Sequence, residues 1–428
     1  MVTYLSKNML PELPEIVRAE GVLAYDAAGT RYFDLTSQCL NLNLGHSHPA
    51  VVGAVSALLS KKGFPYYVSP RFRSRYAEEL AERIVEHAPR GLSKVNLQMC
   101  NGSDANEDAL KRVRKYHFLQ RGMTCANIVS FYGSHLGESS ETISASGEHF
   151  GKESYFGGSG NYVFMDPCDN FHRPRGLSEQ EYAESRLNEF ERLFDRREDI
   201  AGIIMELITF DAGVLIQPKN FVRGLVRLCQ QHDRGLIIDE VQTAFGWCGS
   251  MFASDVFGIR PDIITMAKGM TGGFPAMAAT VFKEKYDILE SGASEYTFGA
   301  QSIGCVAALA TMQFLTTSGI METVPKKHAR VMETLQVLRK RYHRLADVRG
   351  MGMFFGLEFV KPDGQPDYTT AKRVYRSAFK SGLLLNPPTT DPGLGAVVAI
   401  KPPLTITMDE VEQAMQLLER SFRMAAGG

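Results

Sequence analysis

Two residues with complementary chemistry end apolar segments in the middle of the chain. Asp239 follows the apolar run 236–238, and Lys268 follows the segment 263–267, 29 residues after Asp239. The carboxyl ends of parallel strands meet at one edge of a sheet, where ligands bind, so we expect the two side chains to share one crevice. Pyridoxal phosphate requires a lysine for its attachment and a carboxylate beside its pyridine nitrogen, and this pair would supply both.

Two other interpretations fit the same stretch. An apolar strand that ends in Asp239-Glu240 also occurs in nucleotide hydrolases, but those proteins need a phosphate loop of the form G-x-x-x-x-G-K-[ST], which this sequence lacks. Alternatively, Asp239 and Lys268 form a buried ion pair without any chemistry. The remaining motifs of the sequence favour a cofactor over both interpretations.

A second candidate site follows the strand predicted over residues 95–99. Gly102 and Ser103 precede a helix with acidic residues in its first turn. The unpaired backbone N–H groups of a first turn and the helix dipole favour a phosphate at that point. A plain helix cap, with Ser103 as the capping residue, explains the same residues equally well.

Aromatic and basic residues supply further candidates for ligand contact. Tyr132 lies at the end of the strand predicted over 128–133, where its ring could stack on a cofactor or belong to the core. The loop over 63–75 is dense in phenol and guanidinium groups, which bind polar ligands, although a solvent-exposed loop is the alternative. The substrate candidates in this loop are Tyr66, Tyr67, Arg71 and Arg73.

Two histidines at positions i and i+2, His46 and His48, raise the question of a metal site. No Cys, Asp or third His follows them at ligand spacing. We therefore predict no metal site, and instead a tight turn before a helix that begins at Pro49.

Composition limits the classes of protein to consider. The 428 residues are 44% hydrophobic and 22% charged, which is ordinary for a globular protein with a large core. The formal net charge of −1 provides no global field for nucleic acid or an anionic membrane. No apolar run approaches the roughly 18–20 residues that span a bilayer, and the first residues lack a signal-peptide core. Seven scattered cysteines without Cys-x-x-Cys indicate reduced thiols, so we expect a cytoplasmic protein.

The order of predicted elements indicates an α/β protein. Strands alternate with helices from about residue 95 to 282, which predicts a large, mostly parallel mixed sheet with helices on both faces. We predict a hairpin over 22–35 and long loops over 137–180. A smaller α+β domain is expected from the N- and C-terminal segments. The predicted division is 1–60 for the N-terminal arm and hairpin, 61–318 for the large domain, and 319–428 for the rest of the small domain.

Six motifs occur in an order that is typical of one family. They are Leu44-Gly45-His46-Ser47-His48-Pro49, Gly102-Ser103-Asp104-Ala105-Asn106-Glu107, Asp239-Glu240-Val241-Gln242-Thr243, Lys268-Gly269 with Gly272-Gly273-Phe274-Pro275, Thr297-Phe298-Gly299, and Pro402-Pro403-Leu404. With them the chain resembles the class III (ω- and ornithine-type) aminotransferases, which are fold type I pyridoxal phosphate enzymes. The resemblance extends over about residues 20–425.

The resemblance implies a role for each matching residue. Lys268 would hold pyridoxal 5'-phosphate as an internal aldimine and later shuttle the proton, and Asp239 would pair with the protonated pyridine nitrogen. The other implied cofactor contacts are Gly102 and Ser103 at the phosphate, Tyr132 stacked on the ring, Val241 on the opposite face, Gln242 at the ring hydroxyl, Glu206 beside the cofactor, and Thr297 at the phosphate of the other subunit. A homodimer with shared active sites is therefore implied.

The sequence departs from the family where the substrate would bind. The family has an arginine three positions before Pro402, which grips the substrate α-carboxylate, but here Ala399 stands at that place. Lys401 shares a strand face with Ala399 and could substitute as a point charge, though not as a bidentate fork. Other departures are Tyr132-Gly133-Ser134 for Tyr-His-Gly, Gly246-Trp247-Cys248-Gly249 for Gly-Arg-Thr-Gly, and Glu206-Leu207 for Glu-Pro.

From the resemblance we expect an aminotransferase that works by two half-reactions on a small-molecule amino donor and carbonyl acceptor, without nucleic acid or membrane partners. Because of Ala399, we expect at least one partner not to be a simple α-amino acid. An amino-sugar carbonyl compound or a primary amine would fit. A decarboxylase, dehydratase or epimerase on the same fold is the alternative, since sequence does not reveal which substrate bond breaks. A non-catalytic descendant of the fold is disfavoured because Lys268 and Asp239 are both present.

Overall fold

The computed structural model describes residues 13–65, 67–69, 71–147, 160–389 and 395–426, so the candidate Tyr66 lies outside it. Its strands are β1 (Ile16–Glu20), β2 (Leu23–Asp26), β3 (Arg31–Asp34), β4 (Lys94–Met99), β5 (Asn127–Phe131), β6 (Tyr162–Met165), β7 (Ile200–Glu206), β8 (Ile208–Thr209), β9 (Leu215–Ile216), β10 (Gly235–Asp239), β11 (Ile263–Met266), β12 (Ala278–Phe282), β13 (Leu345–Met351), β14 (Phe354–Phe359), β15 (Leu383–Leu384) and β16 (Val397–Ile400). Its helices are α1 (Ser37–Leu40, a single turn with positive φ at all four residues), α2 (Pro49–Leu59), α3 (Arg75–His87), α4 (Gly102–Arg121), α5 (Ser140–Ala145), α6 (Glu179–Arg196), α7 (Lys219–Gln231), α8 (Ala253–Phe257), α9 (Ser302–Thr317), α10 (Val324–Arg341), α11 (Tyr368–Lys380) and α12 (Met408–Ala426).

A seven-stranded sheet forms the centre of the fold, in the order β4-β12-β11-β10-β7-β5-β6. The five strands from β11 to β6 are parallel to one another, whereas β12 is antiparallel to both β11 and β4. Every residue of β7 and of β10 is buried, as expected for parallel strands covered on both faces. The predicted mostly parallel mixed sheet is confirmed.

The two faces of the sheet bury different helices. Along β10, Ile237 belongs to an apolar cluster that contains Val113 of α4. Its neighbour Ile238 belongs to a second cluster, together with Phe190 of α6 and Phe221 of α7. Since successive strand residues point to opposite faces, α4 covers one face and the pair α6–α7 covers the other.

Apart from the two-stranded pairing of β8 with β9, two smaller sheets accompany the central one. One has the order β1-β2-β3-β15, in which β2 and β3 form the predicted hairpin and β15 pairs with β3 in parallel. The other has the order β13-β14-β16. N- and C-terminal segments thus share one sheet, in line with a small α+β domain built from both, while the division at residues 60 and 318 stays a prediction.

The prediction of loops over 137–180 is wrong at two places, because α5 and β6 lie within this range. The four residues of β6, Tyr-Val-Phe-Met, are all half-buried. The sequence therefore shows no alternation of apolar and polar residues, which is the pattern that reveals a strand. Helix α5 has only six residues, too few for a helical periodicity. Residues 148–159 of this range lie outside the described chain.

In the described part of the chain, no single helix is both long and apolar enough to cross a membrane. The bent pair Ser302–Thr317 and Met321–Arg341 meets the criteria of length and composition only when both helices are taken together. Among the same residues, no group of three or more His, Cys, Asp or Glu could hold a metal ion. His46 instead places Nε2 2.8 Å from Oδ2 of Asp34, which ties the turn before α2 to the end of β3.

A charged network joins β13 and β14 to the loop after β6. Arg349 donates from Nη1 to Oε2 of Glu358 (2.6 Å) and to Oδ2 of Asp347 (3.0 Å). His172 places Nδ1 2.6 Å from Oδ2 of Asp169 and Nε2 3.0 Å from Oε1 of Glu358. Because both ring nitrogens face carboxylates, Asp169 first and then Glu358 raise the pKa of His172 to about 10.

Replacing His172 by Gln should lower the thermal midpoint most at acidic to neutral pH. The pKa of His172 in the folded state lies above its ordinary value, so its stabilising contribution is fully present below about pH 6.5 and is lost as pH rises through about 10. Midpoints of both proteins measured between about pH 6 and 10.5 should therefore converge at the alkaline end. His343→Gln, at an exposed position, is the control. A difference between wild type and His172→Gln that is independent of pH would contradict this account.

Candidate active site

A cavity of about 500 Å³ opens at the carboxyl ends of β10 and β11. Asp239 is the last residue of β10, and Lys268 begins a 3₁₀ turn just after β11. Both residues line this cavity, so they share one crevice as their spacing predicts. The register of the two parallel strands explains this, because Asp239 is paired with Thr265, three residues before Lys268.

The backbone at Lys268 is strained. Its φ is +41°, in the left-handed region that costs a non-glycine residue roughly 1–2 kcal/mol. The turn that begins here ends at Gly272, whose φ of +60° closes it. Strain of this kind persists where the surrounding structure imposes it and is concentrated at functional sites. Packing around the turn therefore holds the half-buried Lys268 side chain at the cavity wall.

The Asp239 carboxylate is buried, with 4% of its surface exposed. Its Oδ1 accepts a hydrogen bond from Val241 N (2.8 Å), and its Oδ2 accepts one from Asn106 Nδ2 (2.7 Å). Burial raises the pKa of Asp239, while these hydrogen bonds and the charge of Lys268 act in the opposite direction. A cationic group bound in the cavity beside Asp239 would therefore stabilise the ionised carboxylate.

Asn106 orients that carboxylate, although sequence reasoning gave it no role. Its Nδ2 also donates to Leu136 O (2.7 Å), and its Oδ1 accepts from Thr265 Oγ1 (2.7 Å). These partners fix which end of the amide faces Asp239. One signal was present in the sequence, because Asn106 follows Gly102 by four residues and so lies on the same face of α4.

The cap of α4 differs from the predicted one. Helix α4 begins at Gly102, and its capping residue is Asn101, whose side chain accepts from Asp104 N (3.1 Å). The interpretation of Ser103 as the cap is therefore wrong. Ser103 lies in the first turn and lines the cavity, where its Oγ accepts from Glu138 N (3.1 Å).

Gly102 allows a close approach of two elements at the cavity wall. A Cβ atom at this position would lie 2.9 Å from Cγ1 of Val241, so a side chain here would require Val241 to shift. Without one, the first turn of α4 packs directly beside Val241 at the end of β10. The cavity thus has a helix start with Ser103 at one end and a buried carboxylate at the other, which suits a ligand with an anionic group and a basic ring nitrogen.

His135 is a cavity residue that sequence reasoning missed. It lies in the loop after β5, and its backbone N donates to Oε2 of Glu206 (3.1 Å). Glu206 itself is buried, is paired in register with Asp239, and is not among the described residues that line the cavity. Its side chain therefore anchors the loop, a contact between distant segments that no local pattern reveals.

Other predicted site residues also lie outside the cavity lining. Tyr132 is 42% exposed, and the centroid of its ring is 5.6 Å from that of Phe164. Gln242 is buried directly after Val241. Thr297 is exposed, and its carbonyl oxygen accepts from Tyr67 Oη (3.1 Å).

The predicted basic residues of the substrate end take different positions. Arg71 is exposed, and Arg73 is exposed and paired with Glu78, with Nε 2.8 Å from Oε1. Lys401 is 5% exposed, and its ammonium lies 5.0 Å from the centroid of the Phe210 ring. Burial lowers the pKa of Lys401 to about 8. Neither arginine nor Lys401 lines the described cavity.

Comparison with known proteins identifies the family. The family model described as "Aminotransferase class-III" matches residues 4–422. The chain belongs to the class III aminotransferases. This class III aminotransferase is similar to the acetylornithine aminotransferase of Caldanaerobacter subterraneus subsp. tengcongensis, with 30% identity over 424 residues and 98% of each chain covered. It is also 30% identical, over 437 residues, to the alanine/serine racemase of Pyrococcus horikoshii, with 98% of this chain and 88% of the relative covered.

Solved structures agree with this assignment. The amine transaminase from an uncultivated Pseudomonas species, solved in its PLP-bound form, has a TM-score of 0.88 and 26% identity, with 99% of this chain and 97% of that chain covered. The fold is that of the fold type I transaminases, and the coenzyme of this class III aminotransferase is pyridoxal phosphate. The cavity fits this group, since it offers a buried carboxylate, a lysine and a helix start.

Replacing Asn106 by Ala should weaken both the fold and the coenzyme site. The change leaves Leu136 O, Thr265 Oγ1 and one oxygen of Asp239 without their partner, which should lower the free energy of unfolding by roughly 2–3 kcal/mol. Denaturant unfolding and a coenzyme titration would measure the two effects.

Thr265→Val is the matched control for Asn106→Ala. It removes the bond to Asn106 Oδ1 but keeps the donor to Asp239, so it should cost about 1 kcal/mol of stability and leave coenzyme affinity nearly unchanged. Equal coenzyme affinity in Asn106→Ala and wild type would contradict the role given to Asn106.

Proposed function

We propose that this class III aminotransferase transfers an amino group between an amino donor and a carbonyl acceptor in two half-reactions, and that at least one partner is not a simple α-amino acid. The observation that supports this restriction is Ala399, buried at 8% exposure where the family has its carboxylate-binding arginine. No arginine is found among the described residues that line the cavity. A primary amine or an amino-sugar carbonyl compound suits such a site.

The proposed chemistry assigns separate tasks to Lys268 and Asp239. Lys268 would hold the coenzyme through its amine and would move a proton at the substrate carbon. Asp239 would pair with the pyridine nitrogen and keep it protonated, and its low exposure would strengthen that interaction. When bound, pyridoxal phosphate supplies an electron sink for the substrate carbon.

The remaining cofactor residues are proposed to position the ring and the phosphate. Gly102 and Ser103 would bind the phosphate through first-turn N–H groups and a hydroxyl, and Val241 would pack against one ring face. Tyr132, exposed at the end of β5, would cover the other face. Gln242 would reach the ring hydroxyl, and Glu206 would act through the loop that it anchors.

Lys401 is proposed to supply the remaining cation at the substrate end. Its backbone is held on both sides, since Lys401 N donates to Leu35 O (2.7 Å) and its carbonyl oxygen accepts from Ser37 Oγ (2.7 Å). Burial is the main cause of the lowered pKa of Lys401, and the charge of Lys268 acts in the same direction. A single ammonium holds a carboxylate less firmly than a bidentate guanidinium does.

The exposed surface around Thr297 supports a homodimer with shared sites. Tyr67, Phe72 and Phe298 are large apolar side chains in this region, exposed by 47%, 70% and 68%. Tyr67 and Phe298 pack edge to face, with ring centroids 5.7 Å apart. Exposed apolar groups of this size mark interaction surfaces. In such a dimer Thr297 would contact the phosphate bound to the partner, and Tyr67, Arg71 and Arg73 would line a substrate entrance.

Cysteine usage supports a reducing compartment. All seven cysteines are free, and Cys168, Cys229 and Cys305 are buried. Free thiols persist where disulfides are kept reduced, so we propose a cytoplasmic location.

A matched pair of donors tests the proposed substrate class. Isopropylamine differs from alanine by a methyl group in place of the carboxylate, so wild type should convert the coenzyme to its amino form at least as fast with isopropylamine. Ala399→Arg should speed the reaction of alanine by about tenfold or more, because a guanidinium–carboxylate contact is worth roughly 1.5–3 kcal/mol. The loss of the visible absorption band after mixing, without any acceptor, measures both rates.

Ala399→Leu controls for side-chain size in this experiment and should gain nothing with alanine. A wild-type preference for alanine over isopropylamine would contradict the proposed substrate class, and so would faster turnover of every donor by Ala399→Arg. Release of carbon dioxide, or product formed without an acceptor, would support the decarboxylase or epimerase alternative instead.

Mixing two inactive variants tests the shared site. Lys268→Ala loses the attachment point, and Thr297→Asp places a negative charge against the phosphate. If Thr297 acts across the dimer, a mixed dimer has one intact site. Random exchange makes about half of the dimers mixed, so about a quarter of wild-type activity should return.

The separately prepared variants, assayed at the same total concentration, are the control for this exchange. No gain of activity after mixing, with mixed dimers demonstrated by differential tagging, would show that Thr297 does not act across the dimer.

A further inference from the structure

Two buried carboxylates lie side by side at the floor of the active site. Asp239 ends β10 and Glu206 ends β7, and the two residues are paired in register. Each is only 4% exposed. Neighbouring negative charges in a poorly solvated region disfavour ionisation of both carboxylates unless cations are close by. Lys268 is one such cation, but its amine would be engaged in holding the coenzyme.

His135 is held next to both carboxylates through its own loop. Its backbone N donates to Oε2 of Glu206 (3.1 Å). The carbonyl of the next residue, Leu136, accepts from Nδ2 of Asn106, the same nitrogen that holds Asp239. Hydrogen bonds on either side of the His135 side chain therefore connect its backbone to the carboxylate pair.

His135 belongs to the wall of the coenzyme cavity. His135 and Asp239 both line this cavity, and His135 carries the only aromatic ring among the described lining residues. Its positive form lowers the pKa of Asp239, opposing the effect of burial. Two described carboxylates are close to His135: Oε1 of Glu138 is 4.0 Å from Nδ1, and Glu206 accepts from its backbone N. Asp239 and Lys268 line the same cavity.

The loop that carries His135 is rigidly packed. Leu136 N donates to Ser146 Oγ (2.9 Å). Gly137 has a φ of +135°, and a Cβ atom there would lie 2.3 Å from Ser103 Oγ and 2.5 Å from Thr142 Oγ1. The backbone thus cannot withdraw from the site without breaking contacts with α4 and α5.

We propose that His135 is a positioning residue that keeps Asp239 ionised beside the ring nitrogen of the coenzyme. This role goes beyond the proposed function, because it depends on pyridoxal phosphate and not on the choice of amino donor. The effect of His135 passes through Asp239 to a single atom of the ligand, the ring nitrogen. A ligand without that nitrogen should therefore not sense the histidine.

The test compares two ligands on the apo-forms of full-length wild type, His135→Ala and His135→Gln. One ligand is pyridoxal phosphate, and the other is its analogue in which a C–H group replaces the ring nitrogen. Both variants should bind pyridoxal phosphate about tenfold more weakly than wild type, the change that one pKa unit represents. Their affinity for the analogue should be unchanged. His343→Ala, at an exposed position, is the matched control and should change neither affinity.

The ratio of the two dissociation constants separates the proposal from a purely structural role. If the variants bind both ligands more weakly by the same factor, His135 only supports the loop. If they bind pyridoxal phosphate as tightly as wild type does, His135 has no role in binding. Either result overturns the proposal. His135→Gln keeps much of the side-chain volume, so it carries the test if His135→Ala fails to fold.

Discussion

The burial of one carboxylate, that of Asp239, is the constraint on which the active site depends. A carboxylate removed from water loses several kcal/mol of solvation unless charges and hydrogen bonds replace it. Asn106 and Val241 N supply two hydrogen bonds, and each of them comes from an element that also shapes the cavity. The residues that stabilise this charge therefore also fix α4 and the end of β10 relative to each other.

The sheet contributes the register that makes this arrangement possible. Because β7, β10 and β11 are parallel and adjacent, Glu206, Asp239 and the turn with Lys268 meet at one edge. The helix start at Gly102 closes that edge, since the absence of a side chain there allows contact with Val241. The positive φ of Lys268 is the strain that this geometry imposes, and the packed turn up to Gly272 sustains it.

Sequence reasoning succeeded where a local pattern carries the information. Apolar runs revealed the buried strands that carry Asp239 and Lys268, and turn residues revealed the hairpin of β2 and β3. It failed where the information lies in contacts between distant segments. The roles of Asn106 and His135 arise from a loop folded against α4 and β7. The capping residue Asn101 was missed for a local reason, because Ser103, two positions later, has a similar capping propensity. The short strand β6 has uniform half-burial and thus no periodicity to detect.

The coenzyme and the substrate place different demands on the chain. On the coenzyme side, the buried carboxylate of Asp239 already has its hydrogen-bond partners in position, and substitutions there would disturb the common chemistry. At the substrate end, the bidentate cation of the family is replaced by Ala399, and Lys401 is buried nearby with an ammonium against the Phe210 ring. Without a guanidinium, the site lacks a bidentate contact that orients a substrate carboxylate, but the residues that bind the coenzyme are unaffected. The range of amino donors can therefore change while the type of reaction is kept. In the proposed scheme, specificity is therefore separable from catalysis, because Ala399 lies on β16, whereas Asp239 ends β10, Lys268 follows β11 and Gly102 begins α4.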